Sequence, residues 1–160
     1  MDQTTRTVAD SMVEQVYQVR PEHLNGASRL FGGQLMAWID EVAGLVAIRH
    51  SKGEVVTASV DNLRFIRGAR QHDLIVLIGR ITYVGNTSME VRVDTYKEEP
   101  DGSRHPINRA YFVMVSMGED GHPTEVPPLI LDPDDPAEQM EWESAKKRRE
   151  LRLLRRREGF

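Results

Sequence analysis

The chain has no cysteine. That excludes disulfides, thiolate nucleophiles and cysteine-based zinc sites, and makes a reducing setting, the cytoplasm, the expected localisation. It also lacks any apolar run near the ~20 residues that span a bilayer, so no membrane association is expected. The polar start, Met1 to Ser11, has no apolar stretch of the kind that marks a signal peptide. The five histidines show no ligand spacing such as i, i+4 on one helix, so no metal is expected. Neither a P-loop nor a G-x-S-x-G nucleophile turn is present. An excess of positive charge is missing as well. The net charge of −4 gives no reason to expect nucleic acid as a partner of the body of the molecule.

What is present suits one soluble domain with a proper core: 160 residues, 39% of them hydrophobic. Charge is concentrated at the C-terminal end. An acidic stretch from Asp132 to Glu143 precedes Lys146 to Arg157, which holds eight of the 21 basic residues. This reads either as a solvated helix with charged faces or as a basic arm for a phosphorylated ligand or a neighbouring subunit.

The pattern predicts a first strand around Val13 to Val19, ending at Pro21, and then a loop from His23 to Leu30. A helix from about Gly32 to His50 follows, apolar nearly all round, which predicts that other structure encloses it. Val55 to Phe65, Asp73 to Val84, Thr87 to Tyr96 and Ile107 to Met117 read as strands, with turns at Gly85-Asn86 and Pro100-Asp101-Gly102. A last helix is predicted from about Pro136 to Arg157. One strand, one buried helix and a meander of long strands is an α+β pattern, and its exposed edges predict pairing with a second copy.

The segment Phe31-Gly32-Gly33-Gln34-Leu35-Met36-Ala37-Trp38-Ile39-Asp40-Glu41 carries the chemistry. A glycine pair at a helix start leaves bare backbone N–H groups at the positive end of the helix dipole, where an anion or a developing oxyanion can sit. A carboxylate a little further along supplies a base or a nucleophile. The combination points to chemistry on a carbonyl.

Three stretches together resemble the hot-dog-fold acyl-CoA thioesterases of the cytosolic acyl-CoA hydrolase type. They are Asn25-Gly26 through Phe31-Gly32-Gly33 to Asp40-Glu41, TASVDNLRF from Thr57 to Phe65 running on to Asp73, and Val84-Gly85-Asn86-Thr87-Ser88-Met89. The resemblance implies a curved antiparallel sheet wrapped around the long helix over residues 1–130, with residues 131–160 a charged helical extension. It implies hydrolysis of acyl-CoA to a fatty acid and coenzyme A, with no cofactor beyond the coenzyme A of substrate and product. A homodimer with its site at the interface, or a trimer of such dimers, is implied too.

Carried over residue by residue, Asp40 is the general base or nucleophile, and Gly32 and Gly33 form the oxyanion site. Gln34 helps to orient the carbonyl or the water. Asn25 is the polar partner, although Asn25-Gly26 also reads as a plain turn. The position three before Gly32, often an amide or acid in the family, holds Arg29, which reads as a phosphate ligand or the partner of an acid. Glu41 points about 100° from Asp40 and reads as a structural or interface contact. Thr57, Asn62 and Phe65 would border the pantetheine channel, Arg64 and Arg67 would reach phosphates, and Gly85, Asn86, Thr87 and Ser88 would lie along the coenzyme. Two rival readings stand beside this one: an acyl-CoA sensor without turnover, which would not need Asp40, and a dehydratase, which would need a histidine–acid dyad, with His23 the histidine nearest the loop.

Overall fold

The computed structural model describes residues 4–160; the first three residues of the polar start lie outside the described residues. Three long strands, β4 (Leu74–Val84), β5 (Ser88–Glu98) and β6 (Arg104–Met117), form the middle of a five-stranded antiparallel sheet. Its edges are β2 (Val13–Gln18) and β3 (Glu54–Asp61), in the order β2-β4-β5-β6-β3. The turn between β4 and β5 closes with the Gly85 N–H donating to the Ser88 carbonyl at 2.8 Å. Helix α1 (Gly32–Ser51) lies across the concave face and ends at Lys52, whose φ of 58° stops it.

Side chains alternate across each strand, so Met89, Val91 and Val93 of β5 point at α1 while Glu90, Arg92 and Asp94 point away. On the inner face Leu35, Ile39, Val42 and Val46 of α1 pack with Leu77, Ile81, Phe112 and Met114. At Gly79 the helix comes so close that an added Cβ would stand 2.7 Å from Val42 Cγ1. The expectation that α1 is enclosed on most faces is corrected for a single chain. One stripe at i, i+3, i+4 spacing is buried, whereas Met36 and Ile48 are 40% and 45% exposed. The strand predicted to run to Phe65 also stops early. Asn62 takes a φ of 57° and turns the chain out of the sheet after Asp61.

Helix α2 (Pro136–Glu158) starts with Asp135 accepting from the Ala137 N–H at 2.9 Å and lies on the outward face. There Arg148 meets buried Glu90 with two bonds, Nε to Oε2 at 3.0 Å and Nη2 to Oε1 at 2.7 Å, and stacks on the Tyr111 ring at 3.6 Å. Arg152 and Arg155 both reach Asp61, and Trp142 packs on Tyr83. Of the two readings of the basic C-terminus, neither fully describes these three arginines: they face the protein's own sheet.

The ends of the chain are clasped together. Strands β1 (Arg6–Thr7) and β7 (Leu129–Ile130) pair in parallel beside the end of α1, where Arg6 Nη1 donates to the Arg49 carbonyl at 3.2 Å. His50, fully buried, lies with Nε2 2.8 Å from the Pro127 carbonyl. A sheet curved around one long helix, with a second helix on its back, is the hot-dog arrangement of the α+β class.

Candidate active site

Two turns into α1, Asp40 emerges on the exposed side, and its Oδ1 accepts a hydrogen bond from Thr57 Oγ1 of edge strand β3 at 2.6 Å. The hydroxyl ties one carboxylate oxygen to the strand, and among the described residues nothing bonds the other. Glu41 turns away and accepts from the Tyr17 hydroxyl at 2.7 Å. Burial, together with the Glu41 carboxylate, pushes the Tyr17 phenol above its ordinary value, so it stays a donor there. Glu41 therefore makes the structural contact expected of it.

The start of α1 is open. Phe31 precedes the helix in extended conformation, no side chain caps the helix, and its first turn has no acid. The N–H groups of Gly32, Gly33 and Gln34 have no partner within the helix. A Cβ on Gly33 would come within 2.5 Å of the Phe31 ring, so glycine is what lets that ring fold over the helix start.

In front of this end lies a cleft of about 370 Å³, with Leu30, Leu35, Phe65 and Ile107 as apolar lining and Asn25, Arg29, Gly32 and Arg67 among its walls. The Asn25 side-chain carbonyl accepts from the Ala27 and Arg29 N–H groups at 2.9 and 3.2 Å. It builds the turn, as the plainer reading had it, and leaves only its amide N–H groups free to face a ligand. Gln34 does not line this cleft.

The remaining candidates fall elsewhere. Asn62 and Arg64 line a second hollow of about 380 Å³ with Tyr96 and Asn108, beyond the end of β3. Gly85 and Asn86 sit at the opposite end of the sheet, beside Val126 and Trp142. The register makes the division plain. Thr57 is opposite Met114, and Met114 opposite Met89, so Thr57 lies at the level of the Gly85–Ser88 turn. A single chain thus holds Asp40 with Thr57 in one place and Asn25 with Gly32 in another.

Among the described residues of one chain, no acid pairs with His23. Its Nδ1 accepts from the Arg20 N–H at 3.0 Å, and its ring meets Trp38 edge-on at 4.9 Å. Trp38 in turn stacks on Tyr17 at 4.5 Å. This aromatic column ties the Asn25 loop to helix and sheet, and no spacing in the sequence announces it. Among the described residues no group of three or more His, Asp or Glu side chains could hold a metal ion, and no helix is long and apolar enough to cross a membrane.

Residues 28–103 match the family model described as Thioesterase superfamily. The uncharacterized acyl-CoA thioester hydrolase YkhA of Bacillus subtilis is 35% identical over 132 residues, covering 82% of this chain and 77% of that one. The cytosolic acyl coenzyme A thioester hydrolase of Rattus norvegicus is 34% identical over 156 residues, and the chain spans 40% of its length. Among solved structures, the acyl-CoA hydrolase of Staphylococcus aureus in complex with butyryl coenzyme A, coenzyme A and coenzyme A disulfide superposes with a TM-score of 0.90. It is 30% identical, and the match covers 98% of this chain and 94% of that one. The same enzyme has been solved with an aspartate, an asparagine or a threonine changed to alanine. An apo-hexameric acyl-CoA thioesterase, 35% identical, superposes with a TM-score of 0.87 over 94% of this chain and 96% of that one.

Proposed function

Because the chain belongs to the hot-dog acyl-CoA thioesterases, enzymes that hydrolyse acyl-CoA, we propose that its site is shared by two copies, Asp40 of one facing Asn25 and Gly33 of the other. The observation that carries this is the separation within one chain. Gly33 and Asp40 are two helical turns apart, about 10 Å along the axis. A thioester carbon must lie within about 3–3.5 Å of its attacking group while its oxygen meets the N–H. One chain cannot meet both demands. Two α1 helices running antiparallel about a two-fold axis near Met36 and Ala37 can meet them twice over. Exposed Met36 on the helix and Val56 on edge strand β3 are the apolar surface such pairing would cover.

In this site the carbonyl oxygen points at the Gly32 and Gly33 N–H groups, and the Asn25 amide orients the thioester. Asp40, held by Thr57, takes a proton from water as the water oxygen bonds to the carbonyl carbon. The carbon–sulfur bond breaks, and the thiolate receives the proton. If Asp40 attacks directly, water instead cleaves the anhydride that results. Spacing supports the assignment: the aspartate, asparagine and threonine changed in the Staphylococcus aureus enzyme stand as far apart as Asp40, Asn25 and Thr57 do here. The coenzyme would run from the Gly32 cleft past Asn62, Arg64 and Phe65 toward the partner's Gly85–Ser88 turn. Gln34 keeps a lesser part in orienting the water. The reading is of a cytoplasmic homo-oligomer, a dimer that a hexamer of three dimers would repeat, with residues 131–160 as an extension of the catalytic domain.

Thiol release from acyl-CoA tests this. Asp40→Asn should lower kcat by about 10²–10⁴ while the protein still binds coenzyme A. Asn25→Ala should also be impaired. Unfolding and refolding the two variants together should restore activity to roughly a quarter of the unmodified enzyme, since half the dimers then carry one intact site. No recovery on mixing would mean that each chain carries its own site.

A further inference from the structure

We propose that the Gly32 cleft receives an acyl group ending in a carboxylate, so that the enzyme hydrolyses short ω-carboxyacyl-CoA thioesters, with Arg29 and Arg67 holding the distal carboxylate. The inference rests on the thioester carbonyl lying at Gly32 and Gly33, as set out above. Arg29 and Arg67 line the same cleft as Gly32, and among the described residues neither makes an ion pair. Six other arginines, Arg92, Arg104, Arg109, Arg148, Arg152 and Arg155, pair with carboxylates; Arg64, which does not, lines the neighbouring hollow and not this cleft.

Length decides what the free pair can reach. A hollow of about 370 Å³ is ~9 Å across if round, a typical small-ligand scale. The pantetheine arm separates sulfur from diphosphate by about 15 Å, taking ~3.5 Å for every three bonds of extended chain. With the carbonyl on Gly32 and Gly33, the phosphates of coenzyme A therefore fall outside this cleft. The five-carbon diacid chain of a glutaryl group spans about 5–6 Å and ends inside it.

The loop fixes where the Arg29 side chain starts, and the Arg29 and Arg67 side chains are both exposed to an incoming ligand. The Arg29 backbone is bonded on both sides by Asn25, its N–H to the side-chain oxygen at 3.2 Å and its carbonyl to the Asn25 N–H at 2.8 Å. Its side chain lies against Gly68, where an added Cβ would stand 3.8 Å from Cδ. Apolar Leu35, Ile66 and Ile107 line the remainder, where methylene groups between the two carbonyls would rest. Guanidinium forks recognise carboxylates through paired, charge-assisted hydrogen bonds.

The test compares glutaryl-CoA with pentanoyl-CoA, which share the coenzyme and the carbon count and differ in the terminal carboxylate. Dissociation constants are measured by calorimetry on Asp40→Asn protein, which keeps both ligands intact. Glutaryl-CoA should bind tighter by about tenfold or more, as one or two charge-assisted hydrogen bonds predict. In Arg29→Gln and Arg67→Gln, each made on that background, the ratio of the two constants should fall toward one. Equal affinity for both ligands at the outset would overturn the proposal. So would an equal loss for both ligands in the arginine variants, which would assign the guanidinium groups to coenzyme A phosphates. An Asp40→Asn protein that remains fully active would instead refute the catalytic assignment, and turnover by that protein reports it separately from the ratio.

Discussion

A methyl group at position 79 would sit 2.7 Å from Val42 Cγ1 and 2.8 Å from Val46 Cγ2, with the Val42 carbonyl behind them. Branched side chains on a buried helix cannot rotate away easily, so the helix or the strand must move. Gly79→Ala should destabilise the fold by about 1–3 kcal/mol, the usual cost of overpacking, read as a lowered denaturant midpoint at unchanged slope. The sequence shows that glycine inside an apolar run, but not which helix residues come to rest on it. The same divide runs through the site. Asp40 and the glycine pair stand out because a carboxylate in an apolar helix and two adjacent glycines are locally anomalous. The bond from Thr57 to Asp40 joins a strand to a helix, and neither period two nor period 3.6 registers such a contact.

Among the elements, α2 was the most open to misreading. Its arginines look like a solvated face, and Glu90 in the alternating run MEVRVD looks like the wet side of a strand. Alternation does place Glu90 on the outward face, but α2 covers that face and leaves the carboxylate 2% exposed. Arg148 then sits between Glu90 and Glu141, while Arg152 bridges Glu90 and Asp61. Removing one partner of a buried pair strands the other charge away from water. Arg148→Ala should therefore cost about 3–5 kcal/mol, and Lys146→Ala on the exposed side about 1 kcal/mol at most. Chemical denaturation of the two variants side by side measures the contrast. An equal, small effect in both would mean that α2 rests on the sheet only loosely.

Across the whole molecule, the clasp at the end of α1 responds to acid. Burial holds His50 below the ordinary histidine pKa, outweighing its hydrogen bond to the Pro127 carbonyl, and nearby Arg6 adds to the lowering while Asp10 opposes it. The folded protein consequently binds fewer protons at this site than the unfolded chain does. The stability this confers is complete above about pH 6.5 and falls as the pH drops from there toward the lower folded value. Denaturant midpoints measured between pH 7.5 and 5.5 should decline, and the decline should be shallower in His50→Gln. The clasp also has a consequence in time. Arg6 pairs with Leu129, so nearly the whole chain must be made before its opening segment finds a partner. During synthesis the early strands wait on the last ones, and closing so long a loop is a slow, entropically costly event. A ribosome-bound chain lacking its final third would hold α1 against an unfinished sheet, with its first strand unpaired and the site's apolar edge open to other nascent copies.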